Sequence, residues 1–287
     1  MANLKEIRNR ISSIESTMQI TSAMKMVSAA KLKRAQDAIV QLRPYSNKLS
    51  EILVNLSASL DSSEGNDFSK ERELNNILFV SIASNRGLCG GFNSNIIKQI
   101  NSLINNEYKD CKSSIISIGK KSSEYFNKKG FIVAETYDEL YNEITFERVS
   151  EIAENIMNDF ITEKYDKVIL VYNQFKNAAT QIVMKENFLP VEPPKDETAN
   201  IGDYIFEPSK EKIVQQLIPK SLKTQMFKAI LDSHASEHGA RMTAMHKATD
   251  NANDLKDDLT LFYNKARQAA ITGEILEIVG GAEALNG

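Results

Sequence analysis

The sequence has no long uninterrupted apolar run. No segment approaches the ~20 apolar residues that a bilayer-spanning helix requires, and the opening MANLKEIRNRISSIES carries no apolar signal core. With 42% hydrophobic and 25% charged residues, the chain of 287 residues has the composition of a folded globular protein. We therefore expect neither a membrane span nor a secretory segment, so any role at a membrane is expected to be peripheral.

Cysteine and histidine are also scarce. Cys89 and Cys111 lie too far apart to form a CxxC motif, and we expect both to be ordinary reduced thiols. The three histidines, His234, His238 and His246, follow an i, i+4, i+12 pattern without an HExxH arrangement. His234 and His238 could share a helix face, but we interpret all three as surface residues. The sequence therefore predicts no metal site.

Proline is scarce at both ends of the chain, and glycine is absent from its first 64 residues. The first glycine is Gly65, the only proline before it is Pro44, and the last 68 residues contain no proline. Such intervals, on either side of a middle that contains helix breakers, predict two long terminal helices around a compact central domain. We place the helices at 1–58 and 209–286 and the central domain at 75–205.

The terminal segments have the periodicity of a coiled coil, with apolar residues that alternate steps of three and four. The amino-terminal seam predicted in this way is Leu4, Ile7, Ile11, Ile14 and Met18. The carboxy-terminal seam is Ala248, Ala252, Leu255, Leu259, Phe262, Ala266, Ala269, Gly273 and Leu276. At 1.5 Å per residue, a helix over 211–285 would be about 110 Å long. Its many small residues predict a thin seam and a narrow rod.

Charge is distributed unevenly along the chain. Residues 1–57 carry nine Lys/Arg against four Asp/Glu, a net charge of +5, whereas 58–210 carry 17 against 24. A basic amino-terminal helix is usually a solvated surface, but it could also meet an acidic partner.

The middle of the chain alternates short apolar β-branched runs with helical patterns. The predicted strands are 77–83, 114–118, 131–136 and 167–173, with a possible antiparallel strand at 180–186. The predicted helices are 92–107, 119–129 and 146–163. This alternation is typical of an α/β domain with a largely parallel sheet.

A glycine-rich segment, SNRGLCGGFN at 84–93, follows the first predicted strand. Such a turn can hold a phosphate on backbone N–H groups at a helix amino terminus, which would favour a nucleotide-dependent enzyme. However, its spacing matches neither GxGxxG nor GxxxxGKS/T, and no P-loop lysine follows. The alternative is a structural turn that requires positive φ or close backbone contact. From the residues alone both interpretations remain open, and the structural one is favoured.

Several segments resemble the gamma subunits of rotary ATP synthases. They are TMQITSAMKMVSAAKLKR at 17–34, YSNKL at 45–49, SNRGLCGGFNSN at 84–95, YIFEPS at 204–209 and EHGARMTAMHKATDNANDLKDDLTLFYNKARQAAITGEILEIV at 237–279. These segments cover both ends and the middle of the chain, in the family's order. The resemblance implies an α/β fold with a long α-helical coiled coil. In such a fold an antiparallel pair of terminal helices joins a central Rossmann-like α/β domain that binds no nucleotide.

The resemblance also implies a mechanical function with no catalytic site or cofactor in the chain. Gamma subunits form the central rotor shaft that couples ion flow through a membrane ring to ATP synthesis or hydrolysis in a sleeve of alpha and beta subunits. The positions that match sleeve-contacting residues or residues that steady the helices are Met24, Lys25, Arg241, Gln268, Thr272 and Leu285. Tyr204, Phe206 and Glu207 match the foot that contacts the ring and the epsilon subunit, although without the resemblance they would be interpreted as plain surface.

The implied partners are thus the alpha, beta and epsilon subunits and the membrane ring, with no nucleic acid. The implied location is the cytoplasmic face of the bacterial cell membrane, as a peripheral protein. Two other classes of function remain as alternatives. A nucleotide-dependent enzyme would use the turn at 84–93, but no general base or metal constellation accompanies it. A generic coiled-coil scaffold would not explain the embedded α/β domain.

Overall fold

The computed structural model of the protein describes residues 4–57, 67–191 and 210–286. The terminal helices are α1 (Leu4–Ser57) and α5 (Lys210–Asn286). Between them, in chain order, lie β1 (Asn76–Ile82), α2 (Phe92–Ser102), β2 (Lys112–Ile118), α3 (Lys120–Lys128), β3 (Ile132–Thr136), α4 (Phe146–Ile161), β4 (Lys167–Phe175) and β5 (Gln181–Leu189). The predicted fold class, a central α/β domain with long terminal helices, is therefore confirmed.

The five strands form one sheet with the order β3-β2-β1-β4-β5. Strands β1 to β4 are parallel, and β5 pairs antiparallel with β4, so the possible antiparallel strand at 180–186 is confirmed. The strand order reverses between β1 and β4. In doubly wound α/β sheets this switch point opens the crevice in which ligands bind.

Both faces of the sheet are covered, which explains why its strands are nearly continuous apolar runs. On β1, Leu78, Val80 and Ile82 face a core shared with α4 and with the first half of α5. The alternate residues Ile77 and Phe79 face a second core formed with α2 and α3. All five side chains are fully buried, and each such burial stabilises the fold by about 1.5–3 kcal/mol.

Helix α4 shows how local sequence leads to this packing. Thr145 precedes the helix, and its hydroxyl accepts a hydrogen bond from the Arg148 backbone N–H at 3.4 Å, as expected of an N-cap. Val149, Ile152 and Ile156 then recur at helical spacing and are buried against the sheet.

The chain divides into two compact units. One comprises residues up to Ser28 and those from Met242 onward, and the other comprises Ala29–Arg241. The first unit contains only portions of α1 and α5, whereas the second contains the sheet and its covering helices.

Candidate functional site

The first unit is an antiparallel helix pair. Three polar contacts join α1 to α5, and the residue numbers fall on α5 as they rise on α1. They are Arg8 Nη2 to Tyr263 Oη (2.7 Å), Glu15 Oε1 to Lys256 Nζ (3.0 Å) and Thr21 Oγ1 to Thr249 Oγ1 (2.8 Å). The antiparallel direction implied by the family resemblance is therefore confirmed.

The predicted seam is confirmed on α1 but only partly on α5. The five α1 seam residues are all buried or half-buried, as are Ala248, Ala252, Leu259, Ala266 and Gly273 on α5. The other predicted α5 positions are exposed, and for these the prediction was wrong: they are Leu255, Phe262, Ala269 and Leu276.

Lys256 and Tyr263 occupy the seam instead of Leu255 and Phe262. Both are half-buried, because their long side chains cover the partner helix while their polar ends bond to Glu15 and Arg8. Two series of α5 residues, displaced by one position, follow the same alternation of three and four. The prediction chose the series with more apolar residues, and that choice was wrong between 255 and 263.

The displaced apolar side chains form an exposed row along α5. Leu255 is 44% exposed, Phe262 50% and Leu276 65%. By the register of the three contacts, residues from Gln268 onward lie beyond the described part of α1. The carboxy-terminal turns of α5 therefore leave apolar side chains such as Leu276 exposed, a feature that marks interaction surfaces.

The predicted sleeve residues of this unit occupy two separate places. Met24 and Lys25 are half-buried on α1, Gln268 and Thr272 are exposed on α5, and Leu285 lies near the end of α5. By the pairing register, Met24 and Lys25 lie opposite residues near 246. That position is about 33 Å along α5 from Gln268, so the two groups cannot share one contact. The predicted foot residues Tyr204, Phe206 and Glu207 lie outside the described residues.

In the second unit, the glycine-rich segment forms a tight turn between β1 and α2. Gly90 has φ +58° and Leu88 has φ +62°, so the backbone enters the left-handed region twice. Ser84 fixes the turn from inside, because its hydroxyl donates to the Arg86 carbonyl at 2.6 Å and its N–H donates to Asn93 Oδ1 at 3.0 Å. The expectation of positive φ is confirmed at Gly90.

Arg241 connects this turn to α5. Its side chain is 9% exposed. Nη1 donates to Glu237 Oε1 at 2.6 Å, and Nη2 donates to the carbonyls of Arg86 and Gly87 at 3.1 and 3.3 Å. Burial raises the pKa of Glu237, although the adjacent guanidinium opposes the rise. The donors of Arg241 are therefore engaged by groups of the same unit.

Two serines of α5 close the carboxyl edge of the sheet. Ser233 Oγ donates to the carbonyl of Ile82 at the end of β1 (3.0 Å), and Ser236 Oγ donates to the carbonyl of Asn173 in β4 (2.9 Å). Both serines are fully buried. Helix α5 consequently occupies the switch point between β1 and β4, where a doubly wound domain would otherwise bind its ligand.

His234 and His238 are not surface residues, so that interpretation was wrong for this pair. His238 is 5% exposed and His234 is half-buried, and their Nε2 atoms lie 3.1 Å apart. Tyr141 stacks on His234 with ring centroids 5.9 Å apart. Burial lowers the pKa of His234 to about 4 and that of His238 to about 3, so both are neutral at pH 7. His246 is exposed, as predicted.

The described residues include two cysteines but no metal-ligating cluster and no membrane-spanning helix. Cys89 is buried and Cys111 half-buried, and both are free thiols. Among residues 4–57, 67–191 and 210–286, no three or more His, Cys, Asp or Glu side chains are grouped so as to hold a metal ion. Within the same ranges no helix combines the length and apolar character of a membrane span.

Comparison with known proteins places these features in a family. A family model described as ATP synthase matches residues 3–285. Curated gamma chains of ATP synthase from Christiangramia forsetii and Flavobacterium johnsoniae are each 61% identical to the chain, and both alignments cover 100% of each protein. The chain belongs to the ATP synthase gamma-chain family. The relationship inferred from the sequence motifs is therefore confirmed.

Chains in solved structures of mitochondrial ATP synthases have the same fold. The chain superimposes on a chain from the rotor of the Euglena gracilis mitochondrial ATP synthase with a TM-score of 0.64 and 22% identity, covering 93% of this chain and 98% of that one. A chain from the central stalk and c-ring of the Tetrahymena thermophila enzyme gives a TM-score of 0.59 at 24% identity, covering 80% and 99%.

Some residues that shape the turn and the edge were missed in the sequence. Ser233 and Ser236 resemble ordinary polar residues of an exposed helix, and only their i, i+3 spacing could have suggested a shared face. Gly119 has φ +106°, and a Cβ there would lie 2.3 Å from the Ala83 carbonyl oxygen. That close approach involves residues distant in sequence, and the isolated glycine gave no local signal.

Proposed function

We propose that this gamma-family chain is the central rotor shaft of an F-type ATP synthase. It would couple ion flow through the membrane ring to ATP synthesis or hydrolysis on alpha and beta subunits, and so regulate both processes. The observation that carries the proposal is the full-length identity of 61% to curated gamma chains. In this proposal 1–58 and 209–286 form the shaft and 75–205 form its base.

The exposed apolar row on α5 supports contact with the sleeve. Leu255, Phe262 and Leu276 would lose water-exposed apolar surface when the alpha and beta subunits surround the shaft. Apolar contacts are non-directional, so they can be exchanged as the shaft turns without breaking fixed ion pairs. Gln268 and Thr272 lie on the same exposed portion of α5 and would add polar contacts, with Leu285 near the tip.

Met24 and Lys25 would meet an acidic segment of the beta subunits. The net charge of +5 over residues 1–57 suits such a partner. Each exposed ion pair contributes only about 0–1 kcal/mol, which permits repeated docking and release.

For Arg241, the buried contacts with Glu237 and with the turn support a structural role within the chain. It would hold the glycine-rich turn to α5 rather than contact the sleeve directly.

The base would meet the membrane ring and the epsilon subunit through Tyr204, Phe206 and Glu207. This assignment rests on the matching family segment YIFEPS and on the related rotor structures, one of which is a central stalk with its c-ring. It would make the chain a peripheral protein at the cytoplasmic face of the bacterial membrane.

We further propose that the chain has no catalytic site of its own. The support is the closure of the switch-point edge by Ser233 and Ser236 and the pairing of the Arg241 guanidinium with Glu237, which leaves it no free charge for a phosphate. Calorimetric titration of the purified chain with Mg-ATP should show no micromolar binding. Micromolar binding that is lost on substitution of Gly90 and Gly91 would overturn this proposal.

A rotation assay tests the shaft function. The chain would be co-expressed with its cognate alpha and beta subunits, and a bead would be attached through a Lys109→Cys substitution in a Cys111→Ser background. Lys109 is exposed in the sheet-bearing unit. We expect the purified complex to hydrolyse ATP and the bead to rotate in one direction. A complex that assembles and hydrolyses ATP without rotation of the bead would refute the shaft assignment.

A further inference from the structure

The acidic excess of the chain is concentrated in one segment. Residues 135–163 contain nine Asp/Glu and a single cation, Arg148, a net charge of -8 against -3 for the whole chain. The segment runs from the end of β3 through α4. Like charges gathered in this way repel each other, so their accumulation on one surface has an electrostatic cost that a cationic partner would relieve.

Most of these carboxylates have no ion-pair partner in the described residues. Glu154 pairs with Lys223, Asp159 with Lys164, and Glu163 with Arg72. The carboxylates without a salt bridge to any described residue are Glu135, Asp138, Glu139, Glu143, Glu147 and Glu151. The unpaired charge is therefore grouped around β3, the turn after it and the first half of α4.

A cavity of about 320 Å³ opens among these carboxylates. Asp138, Glu139 and Glu151 line it, and Leu140 and Ile152 provide an apolar wall. The Oδ1 atom of Asp138 is buried and accepts no hydrogen bond from any described residue. Apolar walls beside carboxylates suit a side chain with an alkyl stem and a cationic end, which describes lysine and arginine.

Arg148 also lines the cavity, but it does not neutralise the acidic groups. Its guanidinium Nη1 donates to the backbone carbonyl of Glu143 at 3.4 Å, and it forms no salt bridge with a described residue. With three carboxylates and one guanidinium, the lining has a net charge of -2. The cavity therefore remains attractive to a cation.

An open strand edge leads into this cavity. β3 is the last strand on its side of the sheet, and no described strand pairs with its outer edge. All of its residues except Val133 are exposed, including Ile132 at 65%. Thr136, at the end of the strand, lines the cavity. A segment that pairs with β3 would thus carry one of its side chains to the cavity mouth.

We propose that the outer edge of β3 and the adjacent acidic cavity form a docking site for an extended basic segment of a partner protein. The segment adds to the sheet through main-chain hydrogen bonds, as in other cases of strand addition. One lysine or arginine side chain enters the cavity and lies against Asp138, Glu139 and Glu151. None of the residues of this site belongs to the exposed row of α5, so the site does not depend on the proposed shaft function.

The probe is a fluorescein-labelled nine-residue peptide of alternating lysine and valine, titrated into the full chain and followed by fluorescence anisotropy. We expect binding that weakens as salt rises, because the contacts are largely electrostatic. Glu139→Gln/Glu151→Gln should weaken it at least tenfold. The control Glu274→Gln/Glu277→Gln removes two exposed charges from the end of α5 and should leave the affinity unchanged.

A second peptide separates strand addition from simple charge attraction. It has the same sequence with N-methyl groups on alternate amides, which removes the donors needed to extend a sheet. We expect it to bind at least tenfold more weakly, and we expect the unmethylated peptide to slow amide hydrogen exchange in β3. Equal binding of the two peptides, or equal losses in the cavity and control variants, would overturn the proposal.

Discussion

The Arg241–Glu237 pair offers a quantitative test of how the glycine-rich turn is held. Both side chains are 9% exposed, and the guanidinium also donates to the Arg86 and Gly87 carbonyls. Arg241→Met keeps the alkyl bulk but removes every donor. The carboxylate of Glu237 then remains buried without a counter-charge, and two turn carbonyls lose their partner.

Removal of one partner from a buried ion pair costs about 3–5 kcal/mol. Cys89 provides a local probe of that cost, since it is 2% exposed and lies in the same turn. Burial also raises the pKa of its thiol, so the reactive thiolate is rare in the closed state. A tenfold change in an equilibrium corresponds to about 1.4 kcal/mol, so a cost of about 3–5 kcal/mol should accelerate alkylation through local opening by about 10²- to 4 × 10³-fold.

The assay is the rate of alkylation of Cys89 at pH 8 in a Cys111→Ser background, measured on the folded full chain. The double variant Glu237→Leu/Arg241→Met should be alkylated at least tenfold more slowly than Arg241→Met, because no unpaired charge then remains buried. An Arg241→Met rate within about fivefold of the parent would refute the reasoning. A double variant as reactive as the single one would show that the lost carbonyl contacts, and not the stranded carboxylate, are responsible.

Three further predictions concern the seam and the buried titratable groups. Leu259→Asp should reduce the helicity and thermal stability of the free chain, because Leu259 is half-buried in the seam. Phe262→Asp should alter neither property but should impair assembly with alpha and beta subunits, because Phe262 is exposed. Equal effects of the two variants on the free chain would contradict the observed seam. The folded pKa values of His234 and His238 lie below the usual 6.5, so stability should be complete above about pH 6.5 and fall as the pH drops toward 4. Replacing both histidines by glutamine should remove about 4 kcal/mol of the loss between pH 7 and 5, about 2 kcal/mol for each histidine, measured by urea unfolding. An unchanged pH slope would refute this. Burial raises the pKa of Asp232 to about 6, so its carboxylate destabilises the fold increasingly as the pH rises from about 4 to above 6. Asp232→Asn should therefore stabilise the protein by about 1–2 kcal/mol at pH 8 and by nothing below pH 4. A gain in stability that is independent of pH would exclude the titration of Asp232 as its cause.

Local patterns were sufficient for the secondary structure and for the family. The β-branched runs predicted every strand to within two or three residues, because a strand buried on both faces needs an apolar side chain at almost every position. The scarcity of proline at both ends, and of glycine before Gly65, predicted the terminal helices, since those two residues are the main interruptions of a helix. The five matching segments, which cover both ends and the middle of the chain, were together sufficient to indicate the gamma-chain family.

Only the tertiary structure determined which face of each helix is buried and which surface that face packs against. The spacing of three and four on α5 admits two neighbouring stripes, and only pairing with Arg8 and Glu15 on α1 selects the one that contains Tyr263 and Lys256. The burial of His238 and Ser233 likewise depends on contact between α5 and a sheet whose strands are distant in sequence. A periodic sequence specifies that a helix has faces, but the energy of burying a given face depends on the surface that it meets, and that surface exists only once the chain has folded.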